Sequence, residues 1–375
     1  MNGFYWIRVP AGVLAALFLI PSGRAQTGEG TVVQRGADYA VHQTAAVVQG
    51  TNRVRQYIEL ATGLNRPNRS GQWVPAQEQI SLLPQGGAVA AQGRHAVYFP
   101  ADIYNGVLTV ITPDGRELRS RPLGVSYDDG RRSVFIATLT NSIGWLTASN
   151  QVTYRNCFAG LPADLVCTYR KSGFECDLVF RTRPPAPDVY GLDPEFSALQ
   201  LVTEFFNTQD PQPIPGAGDE WFGLQDSTLK FGQLTMTHGK AFAFNGTNGN
   251  SRLVSPNPPI PVYKSWVHAQ GRTFLIESVP RLDLAEALDA LPLTAQAAGD
   301  RRNAATLLAA APDPTPHGAR PKLFPPGHDL RADTNRILLA TGDFKREPGV
   351  VLDYNTVDDS RLDLTFHANT TYYLY

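Results

Sequence analysis

The feature that most constrains how this chain can fold is the strict two-residue alternation around residue 170. Leu165, Cys167 and Tyr169 are apolar at every second position, and after Lys171-Ser172-Gly173 the series resumes at Phe174, Cys176, Leu178 and Phe180. Thr168 and Arg170, then Glu175, Asp177 and Arg181, fill positions between. Successive side chains of a strand point to opposite faces, so the pattern predicts a hairpin from Asp164 to Arg170 and from Phe174 to Arg181. One face would be buried and the other would meet water. Two turns fit. A Lys171-Ser172 turn sets Cys167 opposite Cys176 at a non-hydrogen-bonded pair, where Cα atoms lie about 4.5 Å apart, within disulfide range. A Ser172-Gly173 turn leaves no facing cysteines. The third cysteine, Cys157, would be left over from a single bridge.

The same signal recurs from Tyr39 to Pro280. Gln56 to Leu60, Glu78 to Leu83, Ala88 to Ala91 and His95 to Phe99 read as strands broken by Gly and Pro. Gly106 to Ile111 and Arg116 to Ser120 flank Thr-Pro-Asp-Gly, in which Pro113 presets φ and Asp114-Gly115 tolerates positive φ. Ser133 to Leu139, Leu199 to Phe206, Val262 to His268 and Thr273 to Val279 extend the series. With 33 Gly, 29 Pro and only 18% charged residues, the composition fits many short strands joined by punctuated turns. The expected fold is mainly β, an antiparallel β-sandwich or supersandwich over residues 39–292. Asp283 to Leu291 reads as a short helix capped by Asp283. Asn207 to Glu220, with three prolines, reads as a surface loop. Residues 26–38 read as a flexible start and 293–335 as a Pro/Ala-rich linker. Residues 336–375 read as a short β segment ending in Tyr372-Tyr-Leu-Tyr375.

The N-terminus sets the compartment. Arg8 precedes an apolar run from Ala11 to Ile20, Pro21 and Gly23 break it, and Gly23-Arg24-Ala25 presents small residues for cleavage. Residues 1–25 therefore read as a signal peptide, the alternative being an uncleaved anchor. The run is about half the ~20 residues of a membrane span, and no membrane span is expected after cleavage. Removing these residues takes away Arg8 and Arg24, leaving 31 basic against 34 acidic residues, a net charge of −3. That is too small to steer polyanions, and no basic cluster lies beside aromatics, so no nucleic-acid partner is expected.

One stretch carries a resemblance. Val152-Thr-Tyr-Arg-Asn-Cys-Phe, the Asp164-Leu-Val-Cys-Thr-Tyr strand, the turn at Gly173 and Glu175-Cys-Asp177-Leu-Val-Phe resemble a pattern in large secreted bacterial surface proteins. It is similar to the N-terminal β-rich region that precedes YD-repeat, lectin-like (LamG-like) or right-handed β-helix modules. Glu59 to Gly63, Gly71-Gln-Trp73-Val and Leu199 to Phe206 fit the same type. Val351 to Val357 and Phe366 to Tyr373 look like the lead-in to a truncated β-helix. The resemblance implies a structural role and no catalytic residues; the cysteines at 167 and 176 depart from it.

No catalytic, cofactor-binding or metal-binding set emerges from the residues. Seven histidines, His42, His95, His238, His268, His317, His328 and His367, are scattered without ligand spacing. Adjacent carboxylates at Asp128-Asp129, Asp219-Glu220 and Asp358-Asp359 could serve a glycosidase, but the first reads as a turn and the second as a loop beside Trp221. Asp353-Tyr-Asn355-Thr-Val-Asp358-Asp359 lacks the Gly and terminal Glu of an EF-hand loop. Trp73, Trp145, Trp221 and Trp266 are the candidates for stacking on sugar rings. The expectation is an exported, non-enzymatic structural or adhesive module without a cofactor. Its partners would be extracellular polysaccharide or other surface proteins. A carbohydrate-binding module is the alternative, and a carbohydrate-active hydrolase the weaker one. The aromatic edge from Leu364 to Tyr375 is expected to self-associate or to continue into a longer product.

Overall fold

The computed structural model describes residues 30–48, 51–219, 223–245, 252–254 and 260–293. It also describes the strand segments 306–307, 349–353, 355–358 and 371–374. Residues 1–25, read from the sequence as a signal peptide, lie outside the described residues. Among those described, no helix is long and apolar enough to cross a membrane.

Antiparallel strands dominate. In the front sheet Ser81–Leu82, Ala88–Ala90, Ala96–Phe99 and Leu108–Ile111 lead in order to Glu117–Asp128. Ala198–Phe205, Arg272–Pro280 and Ile260–Ala269 follow on its other side. Glu117–Asp128 shares one edge between two partners: its first residues pair with Leu108–Ile111 and its last with Ser133–Leu139. A bulge at Val125/Ser126 marks the second pairing. Nearby Gly124 is required sterically, because a Cβ there would lie 2.3 Å from the Ala137 carbonyl oxygen. The back sheet runs from Gly144–Ala148 through Gln151–Tyr154 and Ala163–Arg170 to Gly173–Phe180. Gly349–Asp353 and Asn355–Asp358, in the stretch read as a separate C-terminal segment, pair antiparallel with the two halves of Gly173–Phe180. Beyond them come Gly239–Asn245, Leu234–Met236, Leu224–Phe231 and Gln212–Asp219. Ile260–Ala269 joins the sheets along one side, since its first residues pair with Gly239–Asn245 and the rest with Arg272–Pro280.

The two sheets pack face to face, as in a sandwich, instead of wrapping round as a barrel. Val97, Phe99, Val110, Leu118, Tyr127, Leu201 and Leu275 of the front sheet share one buried cluster with Val152, Tyr154, Leu165, Phe174, Leu178 and Phe180 of the back sheet. Each fully buried side chain of this size is worth about 1.5–3 kcal/mol. The Tyr154 hydroxyl donates to the Pro100 carbonyl at 2.7 Å, which satisfies its polar end inside the core.

The structure corrects several expectations. The 164–181 hairpin is buried on both faces: Thr168 is 4% exposed, Asp164 6% and Asp177 0%. Charges survive burial only when paired, and Arg181 Nη2 reaches Asp164 at 2.9 Å while Arg170 Nε reaches Glu175 at 2.8 Å. Within the stretch read as flexible, Thr31–Arg35 pairs with Tyr39–Val48, which pairs with Thr51–Leu60. Thr371–Leu374 then adds to Thr51–Leu60 in parallel. Within the stretch read as a loop, Gln212–Asp219 is a strand, and Pro213 and Pro215 are tolerated because it pairs on one side only among the described strands. In the Pro/Ala-rich stretch Thr306–Leu307 pairs with Gly144–Ala148. The helix is shorter than expected, Ala285–Asp289, with Leu284 rather than Asp283 at its N-cap; Leu284, Leu288 and Leu291 do turn into the core.

Candidate functional site

The hairpin register is that of the Lys171-Ser172 turn: Arg170 faces Gly173 and Cys167 faces Cys176. The two sulfurs lie 3.4 Å apart as thiols. Burial pushes the Cys176 and Cys157 thiols well above the ordinary range, so neither is an activated nucleophile.

The three described candidate tryptophans stand in three different settings. Trp73, on Trp73–Pro75, is 37% exposed and lines a shallow groove with Gln34 and Arg35. Trp145 is half-buried beneath the Arg155 guanidinium, 5.9 Å from its ring centre. Trp266 packs inward between Phe205 and Phe231, at centroid distances of 4.8 and 5.5 Å, and its indole N–H donates to Asp210. Trp266 is partly buried and packs against the main hydrophobic cluster. Trp221 lies outside the described residues, as do Glu220, Asp359, His317, His328 and His367.

The described histidines each have a local partner. His42 stacks on Tyr57 and bonds Glu59; His268 bonds Thr273 and Asp210. His95 is buried, with Nε2 on the Gly173 carbonyl at 3.1 Å, and desolvation lowers its pKa to about 4. The Asp128-Asp129-Gly130 carboxylates hold a turn, accepting the backbone N–H groups of Gly130, Arg131 and Arg132.

Two constellations were not anticipated. The first is ionic. Lys264, 1% exposed on Ile260–Ala269, donates to Asp226 Oδ1 of Leu224–Phe231 at 2.6 Å, and the other Asp226 oxygen meets Nδ1 of the exposed His238. Glu277, fully buried, stands opposite Lys264 in register. The chief physical effect is to fasten the Gln212–Phe231 hairpin to Ile260–Ala269, two elements with no ladder between them among the described strands. The second is a polar cleft on the outer face of the front sheet, floored by Gln200 and Ser278 and bordered by Asp128, Phe196, Ser265 and Gln225. The signal for both was present as isolated polar residues, Gln200, Lys264 and Glu277, inside apolar strands.

Compared with protein-family models, with curated proteins and with solved structures, the chain matches none.

Proposed function

We propose that this chain is a non-enzymatic structural or adhesive β-module of an exported or cell-surface protein. The reading is supported chiefly by where the buried carboxylates stand. Asp164, Glu204 and Asp226 each bind a cation from elsewhere in the fold, Arg181 just past Gly173–Phe180, Arg272 of Arg272–Pro280 and Lys264 of Ile260–Ala269, so that they tie the frame together. The apolar run before Ala25 and the resemblance of residues 152–180 to the N-terminal regions of large secreted surface proteins point the same way. The test is to assay the purified protein on a panel of polysaccharides and peptides, and to fractionate its host. Retention at the surface or in the medium without turnover is expected; enzyme-like turnover overturns the reading.

A second reading, carbohydrate binding, is favoured by Trp73. Its ring is partly exposed beside Gln34 and Arg35, an apolar face next to hydrogen-bonding groups, as sugar recognition requires. Loss of polysaccharide retention in Trp73→Ala would support it.

A further inference from the structure

Between Gly30 and Arg94 the sequence carries six arginines against three carboxylates, a net charge of +3, while residues 95–375 carry 25 basic against 30 acidic residues. The fold does not cancel that local excess. Asp38 accepts the Gly63 N–H at 2.7 Å and faces Arg94 at 3.5 Å, Glu59 is bound by His42, and Glu78 accepts the Lys171 N–H. Arg35 and Arg66 donate instead to neutral amides, those of Asn65 and Gln92. Arg55 and Arg69 are exposed. Among the described residues no carboxylate pairs with any of these four arginines.

Two of these cations stand beside the exposed ring of Trp73. Asn65–Pro67 pairs with Trp73–Pro75, with Pro67 opposite Trp73. Asn68 closes the turn between them: its backbone N–H donates to the Gln72 carbonyl, and its side-chain oxygen accepts the Ser70 and Gln72 N–H groups. Arg69 therefore sits in a fixed turn directly beyond Trp73. Val33, Gln34 and Arg35 border the shallow groove on the other side of the ring. The Arg35 guanidinium is held in place, since Nη1 donates to Asn65 Oδ1 at 2.9 Å and Asn65 donates in turn to the Gly36 and Tyr39 carbonyls. A planar fork fixed by one neutral contact still matches a carboxylate bidentately. Thr31–Arg35 is the edge of its sheet among the described strands, but its ladder to Tyr39–Val48 skips Val33, whose side chain is left 49% exposed. Such a bulge turns an edge away from further pairing, so the groove is ill suited to a strand from another protein. An indole face next to a fixed cation suits a ring that is apolar on one side and acidic at its rim.

We propose that this groove binds an acidic polysaccharide, stacking one uronic acid ring on Trp73 and taking its carboxylate on Arg35, while Arg69 attracts the next acidic unit. The inference rests on the carbohydrate-binding reading and names its ligand class. The test is retention of the full chain, at about physiological salt, on polygalacturonate and alginate, with dextran as a neutral polysaccharide and single-stranded DNA as a polyanion of another kind. The variants are Trp73→Ala, Arg35→Gln, Arg69→Ala and Arg55→Ala, each checked for its melting temperature. The uronate polymers should bind more tightly than dextran or DNA. Trp73→Ala should weaken them about fivefold, Arg35→Gln about tenfold and Arg69→Ala about two- to fivefold. Arg55→Ala removes the same charge as Arg69→Ala. Arg55 pairs with Thr44 and Arg35 with Ala40; four residues along and two strands across put Arg55 about 16 Å from Arg35, beyond the screening length. Arg55→Ala should therefore leave binding within about twofold. Equal losses in Arg55→Ala and Arg35→Gln, or DNA held as tightly as the uronates, reduce the groove to unspecific charge and overturn the proposal. Should Arg35→Gln lower the melting temperature, Arg69→Ala against Arg55→Ala, both at exposed positions, decides in the same way. Dextran held as tightly as the uronates and released by Trp73→Ala overturns the proposal and spares the carbohydrate reading. Retention on no polysaccharide overturns both, and leaves the structural reading to its own test of turnover and surface retention.

Discussion

Replacing Asp226 by alanine removes the carboxylate that Lys264 meets at 2.6 Å, in a place where the lysine side chain is 0% exposed and the aspartate 8%. The ammonium cannot regain water without moving the hairpin. Removing one partner of such a buried pair costs about 3–5 kcal/mol, because the remaining charge stays desolvated. Glu277 opposite Lys264 still offers a negative charge, which places the expected loss near the lower end. For a domain of some 150–250 residues each kcal/mol shifts the melting temperature by about 2–4 °C, so a fall of at least roughly 6 °C is expected. Urea denaturation of the wild type, Asp226→Ala, Lys264→Met and the double variant completes a thermodynamic cycle. The double variant should be more stable than Asp226→Ala alone, since a methionine stem fills the lysine's space without its charge. His238, whose side chain is 59% exposed, adds little of its own, and His238→Ala should cost well under half as much as Asp226→Ala. A loss below about 1 kcal/mol in Asp226→Ala, the figure for a solvated surface pair, with additive single variants would refute the argument that this pair is a buried fastening.

Three further outcomes are expected. Refolded under mild oxidation, the protein should form a Cys167–Cys176 bridge and leave Cys157 a thiol, because register and sulfur separation already align the first two. Peptide mapping without reduction checks this, and a bridge involving Cys157 counts against the register. Stability should fall as pH drops from 6.5 toward 4, since His95 titrates at about 4 in the fold and near 6.5 unfolded, so the unfolded chain takes up the proton first; the loss is of the order of 3 kcal/mol. His95→Gln should flatten the melting curve against pH in that window, and an unchanged slope would count against His95 as its source. Gly63→Ala should destabilise more than Gly115→Ala: both have positive φ, +67° and +82°, but a Cβ at 63 would sit 2.0 Å from the Lys171 carbonyl oxygen, whereas one at 115 meets open space. Equal melting temperatures for the two variants would contradict that contact.

The legible parts of this fold were those set by local chemistry. Ser133–Leu139 appears where its apolar run stands, Gly115 takes φ +82° after Pro113-Asp114, and the hairpin at Lys171-Ser172 carries the register in which its apolar residues face each other. What stayed hidden was decided by non-local pairing. Prolines at 213 and 215 argue against a strand until an edge position is available to it, and sequence alone does not say which strand is an edge. The polar face of the 164–181 hairpin looked wet because Asp164 and Arg181 are charged, and their pairing across strands is invisible to periodicity. The ring contacts of Trp266 with Phe205 and Phe231 were hidden too, because those residues lie on two other strands.

The same non-local logic connects the two unanticipated constellations. Asp226 and Gln225 are neighbours on Leu224–Phe231, and Lys264 and Ser265 are neighbours on Ile260–Ala269. In a strand, adjacent residues point to opposite sides. The pair that turns inward, Asp226 with Lys264, is therefore the ion pair, and the residues beside it, Gln225 and Ser265, border the cleft. The buried charge thus does more than add stability at one point: it fixes how Leu224–Phe231 stands against Ile260–Ala269. A hydrophobic pair of equal volume could hold the hairpin as firmly, but an ion pair also fixes direction, because a short bond to one carboxylate oxygen tolerates little sliding.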